Sequence, residues 1–122
     1  MARVLIVDDS PSQLMGMKRI IEKLGHEIVT AEDGALGVEA AKRERPDLIL
    51  MDVVMPNLNG FQATRSIAKN PDTSHIPIVL VTTKDQETDK VWGIRQGAKA
   101  YLTKPVNEAA LIQLVKELLP GT

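Results

Sequence analysis

The sequence predicts an α/β fold in which a parallel sheet carries helices on both faces. Five strand-like segments alternate with five helix-like segments, which is the pattern of parallel strands joined by crossover helices. The strand-like segments are short, unbroken aliphatic runs, as expected of strands that are buried on both faces. The predicted strands are Val4–Val7, Ile28–Val29, Leu48–Met51, Ile78–Val81 and Ala100–Thr103.

The first helix follows the first strand almost at once. Ser10 is a favourable N-cap, Pro11 stands at the first helical position, and Gln13 is placed to complete a capping box. Gly25 ends the helix as a residue that adopts left-handed backbone angles easily. The apolar positions at helical spacing are Leu14, Met17, Ile21 and Leu24.

The second and third helices lie on either side of the third strand. Asp33 is the predicted cap of a helix that runs to about Lys42, and Pro46 prevents any helix from continuing into the strand. Val53–Asn59 is a loop broken by Pro56, and the third helix follows it. The predicted inner faces carry Leu36, Ala40 and Ala41 on the second helix, and Phe61, Thr64 and Ile67 on the third.

The last two helices flank the fifth strand. The fourth is predicted over Gln86–Gln96, with Val91, Ile94 and Ala98 aligned toward the core. Asn107 is a favourable cap for the fifth helix. Its apolar stripe consists of Leu111, Leu114, Val115 and Leu118.

Composition narrows the class of protein. The 122 residues fit one domain spanning residues 1–122, and the formal net charge of -1 gives no electrostatic footprint of a nucleic-acid binder. The chain has no cysteine, which excludes disulfides and thiolate metal sites. No apolar stretch is long enough to span a membrane, and no signal peptide is visible. We therefore expect a cytoplasmic protein with no nucleic-acid or membrane partner.

Polar residues stand where the hydrophobic runs stop. Asp8 and Asp9 follow the first strand, Asp52 follows the third, Thr82 follows the fourth, and Lys104 follows the fifth. The carboxyl ends of parallel strands meet at one edge of the sheet, where ligand sites gather. Three crowded carboxylates repel one another unless a cation lies among them. A hydroxyl and an ammonium group beside them suit a phosphoryl group.

These residues and their surroundings resemble the receiver domain of bacterial two-component response regulators. The resemblance extends over the whole chain. A second, narrower resemblance, to the stand-alone pilus-associated receivers of twitching motility, is carried by 58–65 and 82–93. The segments that carry the receiver resemblance are Val7-Asp8-Asp9-Ser10, Leu50-Met51-Asp52-Val53-Val54-Met55-Pro56, Val81-Thr82-Thr83 and Tyr101-Leu102-Thr103-Lys104-Pro105.

The resemblance implies a doubly wound, flavodoxin-like (βα)5 sandwich with strand order 2-1-3-4-5. It implies that Asp52 is the phosphoacceptor and that Asp9 binds Mg²⁺ (or Mn²⁺) directly, while Asp8 acts largely through metal-bound water. Asp52 and the backbone carbonyl of Val54 would complete the protein's share of the metal ligands. Oxygen donors of this kind are those that magnesium prefers, and zinc is disfavoured without histidine or cysteine nearby.

Further roles follow from the same resemblance. Thr82 and Lys104 would bind phosphoryl oxygens, Thr82 and Tyr101 would act as switch residues, and Pro105 would follow a cis peptide bond. Phosphorylation would then rearrange the surface formed by the fourth helix, fifth strand and fifth helix. We expect a monomer, with a phosphorylation-dependent dimer left open.

Two flanking positions bear on the lifetime of the acyl phosphate. Val54 lies two residues after Asp52, and its side chain has no polar group to orient an attacking water. Lys84 lies two residues after Thr82 and carries a charge that can pair with a phosphoryl group. We therefore predict slower self-hydrolysis than in receivers with polar acceptors at both positions.

The predicted function is that of a signalling switch that a histidine kinase phosphorylates. We expect it to catalyse only its own phosphorylation and dephosphorylation. No effector segment follows Thr122, so we expect output through a downstream protein. A phosphate sink for a shared kinase stays open as an alternative. A flavodoxin-like cofactor carrier is disfavoured because Asp8-Asp9 would repel a phosphate bound after the first strand. An aspartyl phosphatase is disfavoured because Asp52-Val53-Val54 lacks a second acid.

Overall fold

The computed structural model describes residues 1–119, which form a five-stranded parallel sheet in the order β2-β1-β3-β4-β5. The predicted fold class and strand order are therefore confirmed. The strands are β1 (Arg3–Val7), β2 (Glu27–Ala31), β3 (Leu48–Met51), β4 (Ile78–Thr82) and β5 (Ala100–Thr103). The helices are α1 (Pro11–Lys23), α2 (Gly34–Glu44), α3 (Gly60–Lys69), α4 (Glu87–Gln96) and α5 (Glu108–Leu118).

The aliphatic runs are buried on both faces of the sheet, as their composition predicts. Alternate residues of a strand point to opposite faces. In β1, Val4 and Ile6 therefore pack in one core cluster with residues of α1 and α5. Leu5 and Val7 pack in the other, which holds residues of α2 and α3. The central strands β1, β3 and β4 contribute to both clusters, so they position the carboxyl edge rigidly.

The parallel register brings the carboxyl ends of the strands to one edge. Val7 pairs with Met51, so that Asp8 and Asp52 leave neighbouring strands at the same level. Thr82 pairs with Thr103, which places Lys104 next to the end of β4. Within residues 1–119, no helix combines the length and the apolar character that a membrane span needs.

Helix starts follow the capping predictions, with one exception. The side chains of Asp33 and Asn107 accept hydrogen bonds from the backbone N–H groups of Leu36 and Ala110, as a capping residue should. Ser10 is the N-cap of α1, but its side chain makes no capping bond and the predicted box with Gln13 is wrong. Its hydroxyl instead lies 3.3 Å from that of Ser12.

The predicted inner faces of two helices need correction. Leu36 on α2 is exposed, and so are Val91 and Ile94 on α4. Gly93 and Gln96 are the buried residues of α4. Apolar side chains on this helix indicated the wrong face, because the inward position is taken by a glycine that allows the helix to approach the sheet closely.

Candidate functional site

Three carboxylates meet at the carboxyl edge of the sheet. Asp8, Asp9 and Asp52 each place an oxygen within 4.8 Å of the others. Asp8 and Asp52 are only 1% and 7% exposed, whereas Asp9 faces solvent. This agrees with the convergence predicted from the strand ends. The set offers hard anionic oxygens around a small space, so the residues present fit a divalent cation such as Mg²⁺.

Lys104 supplies a positive charge to the two buried acids. Its Nζ lies 2.8 Å from Asp8 Oδ2 and 3.4 Å from Asp52 Oδ2. The lysine side chain is 8% exposed, so these pairs are screened little by solvent. One ammonium group pairs with two of the three clustered carboxylates, so it offsets only part of their negative charge. The peptide bond that joins Lys104 to Pro105 is cis, as expected.

The ionisation of Asp52 reflects its surroundings. Burial raises the pKa of the Asp52 carboxyl above its ordinary value, and the charge of Asp8 adds to the rise. The Lys104 ammonium group opposes both effects. The Val53 N–H also favours the ionised form, because it donates a 2.7 Å hydrogen bond to Asp52 Oδ1. Positive charge added near Asp52 therefore favours its ionised form. The ionised carboxylate is the form that can act as a nucleophile.

One residue of the β4–α4 loop connects the two predicted switch residues. The backbone N–H of Lys84 donates to Oγ1 of Thr82 at 3.3 Å. Its carbonyl accepts a 2.8 Å hydrogen bond from the hydroxyl of Tyr101. Burial, with the nearby charge of Asp89, raises the pKa of Tyr101 to about 12, so the phenol stays a donor at neutral pH. A displacement of the Thr82 side chain therefore changes its hydrogen bond with Lys84, whose carbonyl accepts from Tyr101.

The ring of Tyr101 packs against the backbone of α4 at Gly93. A Cβ added to Gly93 would come within 2.7 Å of Leu80 Cδ1 and 3.1 Å of Tyr101 Cδ2. A side chain at this position would therefore have to displace the ring or separate the helix from the sheet. Because residue 93 is a glycine, α4 can contact Tyr101 directly. The hydroxyl of Tyr101 in turn donates to the Lys84 carbonyl in the β4–α4 loop.

The two predicted lifetime residues, Val54 and Lys84, line the same surface pocket. Val54 lies in the loop directly after Asp52, and its apolar side chain is exposed to solvent. Lys84 is half-buried, and its Nζ lies 3.7 Å from Asp89 Oδ1. Asp89 also accepts a 3.3 Å hydrogen bond from the Gln86 N–H at the start of α4. Asp89 is not among the residues predicted from the sequence, although its spacing from Gln86 is that of a capping box.

The turn-like sequence contexts of His26 and His75 predict surface positions, and for His26 this prediction is wrong. The side chain is 6% exposed, and its Nδ1 accepts a 3.1 Å hydrogen bond from the Ala2 N–H. It lies at the amino end of the sheet, away from the acidic cluster, and takes no part in the candidate site. His75 is exposed, as expected.

Comparisons with known proteins agree with this arrangement. The family model for the response regulator receiver domain matches residues 4–116. Protein PilH of Pseudomonas aeruginosa is 57% identical over 121 residues, which are 99% of this chain and 100% of the relative.

Solved structures share the fold. The chemotaxis response regulator CheY4 of Vibrio cholerae has a TM-score of 0.90 and 33% identity, with 98% of this chain and 99% of that chain covered. The receiver domain of the Pseudomonas aeruginosa sensor histidine kinase PA1611 has a TM-score of 0.88 and 30% identity, covering 96% of each chain. That domain holds a magnesium ion in its active-site cleft. The chain thus belongs to the response regulator receiver family of two-component signalling.

Proposed function

We propose that this receiver accepts a phosphoryl group on Asp52 from a histidine kinase and reports the event to a partner protein. The observation that carries the proposal is the pairing of a buried, partly neutralised Asp52 with Lys104 at one edge of a parallel sheet. Asp52 is the only one of the three clustered acids that is both buried and bonded to its own following N–H. These two features support Asp52 as the proposed nucleophile.

A divalent cation fits the remaining charge of the cluster. Asp9, Asp52 and the backbone carbonyl of Val54 are the proposed direct ligands, and Asp8 is proposed to act largely through metal-bound water. Mg²⁺ or Mn²⁺ bound there would supply positive charge to the phosphoryl oxygens. The kinase receiver of P. aeruginosa has the same fold and holds magnesium in its active-site cleft, which supports a magnesium site here but does not identify its ligands.

The chain's own residues perform the transfer. An oxygen of ionised Asp52 attacks phosphorus while the bond from phosphorus to the histidine nitrogen breaks, and the departing imidazole takes up a proton. Lys104 then exchanges part of its interaction with Asp52 for a phosphoryl oxygen. Thr82 is fully buried at the end of β4 and donates its hydroxyl to another oxygen. Both groups act as fixed positive poles where charge accumulates.

The loop through Lys84 transmits the change. When the Thr82 hydroxyl turns to the phosphoryl group, it gives up its 3.3 Å bond with the Lys84 N–H. The loop is then free to move with Tyr101, whose hydroxyl it holds. Because the Tyr101 ring touches Gly93, the shift reaches α4. The surface of α4, β5 and α5 would then differ between the two states, and Val91, Trp92 and Ile94 expose apolar area on it.

The test is a labelling experiment with the purified chain. Acetyl phosphate and Mg²⁺ should produce a labile phosphoprotein with one phosphate per chain, detected by intact-mass measurement. Asp52→Asn should abolish it, and Asp47→Asn, an acid at the opposite end of the sheet, should leave it unchanged. Labelling of Asp52→Asn at the wild-type rate would exclude Asp52 as the acceptor. Repeated release of phosphate from small phosphoesters would instead support an enzyme.

The signalling pathway in which this receiver acts is a separate part of the proposal, and it needs its own test. The match to PilH over that protein's whole length supports the resemblance to pilus-associated receivers, and we propose a role in either chemotaxis-like or type IV pilus motility control. A phosphotransfer profile against the histidine kinases of the source organism would identify the donor. Amide chemical shifts of α4 and α5 should change on phosphorylation if the domain has a readout surface. Unchanged shifts with normal phosphotransfer would favour the phosphate sink.

A further inference from the structure

We propose that Asn57 and Asp33 form a positioning pair that fixes the loop after β3 for metal binding. The inference rests on the proposed function, because it assigns to this pair the placement of the Val54 carbonyl as a magnesium ligand. It concerns residues outside the acidic cluster. Neither side chain is proposed to touch the metal.

The pair joins two segments that are distant in sequence. Nδ2 of Asn57 donates a 3.0 Å hydrogen bond to Oδ2 of Asp33. The other oxygen of the same carboxylate accepts a 2.8 Å bond from the Leu36 N–H at the start of α2. Asp33 is thereby anchored to a helix while it holds the loop. Asn57 has left-handed backbone angles, with φ of 69°, a conformation that asparagine tolerates better than most residues.

Backbone packing supports the same loop on both sides of the tether. A Cβ at Gly34 would collide with the carbonyl of Leu58, so α2 begins in direct contact with the loop. A Cβ at Gly60 would collide with the carbonyl oxygen of Asp52, and the Gly60 N–H donates a 2.8 Å bond to the Val53 carbonyl. Val54 lies between these supports. Its neighbours along the chain are thus held by contacts that a side chain at Gly34 or Gly60 would disturb, which restricts where Val54 can lie.

The metal makes this placement consequential. Magnesium requires near-octahedral geometry with short oxygen distances, so a displaced ligand costs affinity. Groups that orient metal ligands affect affinity by about 10- to 100-fold even though they do not touch the ion. The tether is exposed, so its contribution to fold stability alone is small. An effect on Mg²⁺ affinity is therefore the signature that separates a positioning role from a merely structural one.

A set of four chains tests the pair through Mg²⁺ titration by calorimetry. Asn57→Asp keeps the shape and the left-handed backbone but places a carboxylate against Asp33. It should weaken Mg²⁺ binding about tenfold. The double variant Asp33→Asn with Asn57→Asp exchanges donor and acceptor, keeps the α2 cap and the total charge, and should restore binding to within about threefold. Asp33→Asn alone permits an amide–amide bond and should lie near the wild type.

Simple electrostatics predicts the opposite effect of Asn57→Asp on Mg²⁺ affinity, so the titration can distinguish the two explanations. A negative charge added near a cation site should strengthen binding if position does not matter. Equal or tighter binding by Asn57→Asp, or no recovery in the double variant, would overturn the inference. Asn57→Gly, which keeps the left-handed backbone without the side chain, should also weaken binding; wild-type affinity in this variant would overturn it too. A wild-type chain that binds no Mg²⁺ would instead remove the proposed metal site itself.

Discussion

The two ends of the sheet carry similar charged residues in opposite environments. At the carboxyl end, Asp8, Asp52 and Lys104 are almost completely buried. At the amino end, Arg3 bonds Glu27 at 2.8 Å and reaches Glu44 at 3.5 Å, with side chains from 30% to 50% exposed. The first group concentrates charge where solvent cannot screen it, whereas the second spreads charge in water.

This difference separates a functional charge cluster from an ordinary one. Exposed ion pairs contribute about 0–1 kcal/mol to stability, because water competes for both partners. Buried charges are costly unless each has a partner, and breaking such a pair costs about 3–5 kcal/mol. At the carboxyl end, Lys104 serves two acids while Asp9 adds a third. The excess of negative charge agrees with the proposal that a cation binds at this end.

The largest effect should come from removing the single lysine of the cluster. Lys104→Met deprives the phosphoryl group and both buried acids of their cation, and labelling by acetyl phosphate should fall by about 10²–10³. The matched change Arg3→Met at the amino end should leave the labelling rate unchanged. Because Lys104→Met leaves Asp8 unpaired, Lys104→Arg, which keeps the charge but not the shape, provides a better-folded second test and should also label slowly. Wild-type labelling by either folded variant would contradict this role.

Metal binding should also distinguish the two ends. Mg²⁺ at 100 times its Kd should raise the free energy of unfolding by about 2.7 kcal/mol, measured by denaturant titration with and without the ion. Asp9→Asn removes an exposed carboxylate of the cluster and should lose most of this gain. Asp47→Asn at the amino end should keep it. An equal gain in Asp9→Asn would place the ion elsewhere.

The sequence was sufficient to place the strands and the five polar residues that end them. Aliphatic runs identify strands buried on both faces, and the strand-end rule then brings Asp8, Asp52, Thr82 and Lys104 together. The rule predicts proximity but not partners. The 2.8 Å pair between Lys104 and Asp8 depends on side-chain conformations that only the packed structure defines.

Other features depend on backbone geometry that composition does not reveal. Apolar spacing assigned the wrong face to α4, because Gly93 is inward and has no hydrophobic side chain to indicate it. The bond between Asn57 and Asp33 joins residues 24 positions apart in two loops. Loop conformation has no periodic signal, so this contact could not be predicted from residue types.

A moderate change is expected in the lifetime of the phosphoryl group. Asp89 lies 3.7 Å from the Lys84 ammonium group and would compete with a phosphoryl group on Asp52 for it. Asp89→Asn should release Lys84 and lengthen the lifetime severalfold, while its amide oxygen still accepts the Gln86 N–H. Val54→Asn should shorten the lifetime by orienting an attacking water. The rate of phosphate release from labelled protein measures both lifetimes. A shorter lifetime in Asp89→Asn would contradict the proposed role of Lys84. Unchanged release in Val54→Asn would contradict the proposed role of Val54.

A smaller effect concerns the stability of the metal-free chain. Because the pKa of Asp52 is raised in the folded state, its contribution to stability is present below its unfolded pKa and is lost as pH rises through the folded pKa. Asp52→Asn should therefore have a higher Tm than the wild type at neutral pH in EDTA. The advantage should shrink as pH falls toward the ordinary value of 3.8. A lower Tm for Asp52→Asn at neutral pH would mean that Lys104 outweighs burial.

The smallest effect concerns His26, a buried titratable side chain at the amino end. Burial lowers the pKa of His26 below 6.5, and the positive charge of the N-terminus adds to this, while Asp47 opposes it. The unfolded chain therefore binds the proton more readily, so stability is full above 6.5 and is lost as pH falls through the folded pKa. Protonated Nδ1 also cannot accept the Ala2 N–H. His26→Asn, which keeps an acceptor, should show a flatter Tm between pH 7.5 and 5.5 than the wild type. Parallel curves would show that His26 does not contribute to the pH response.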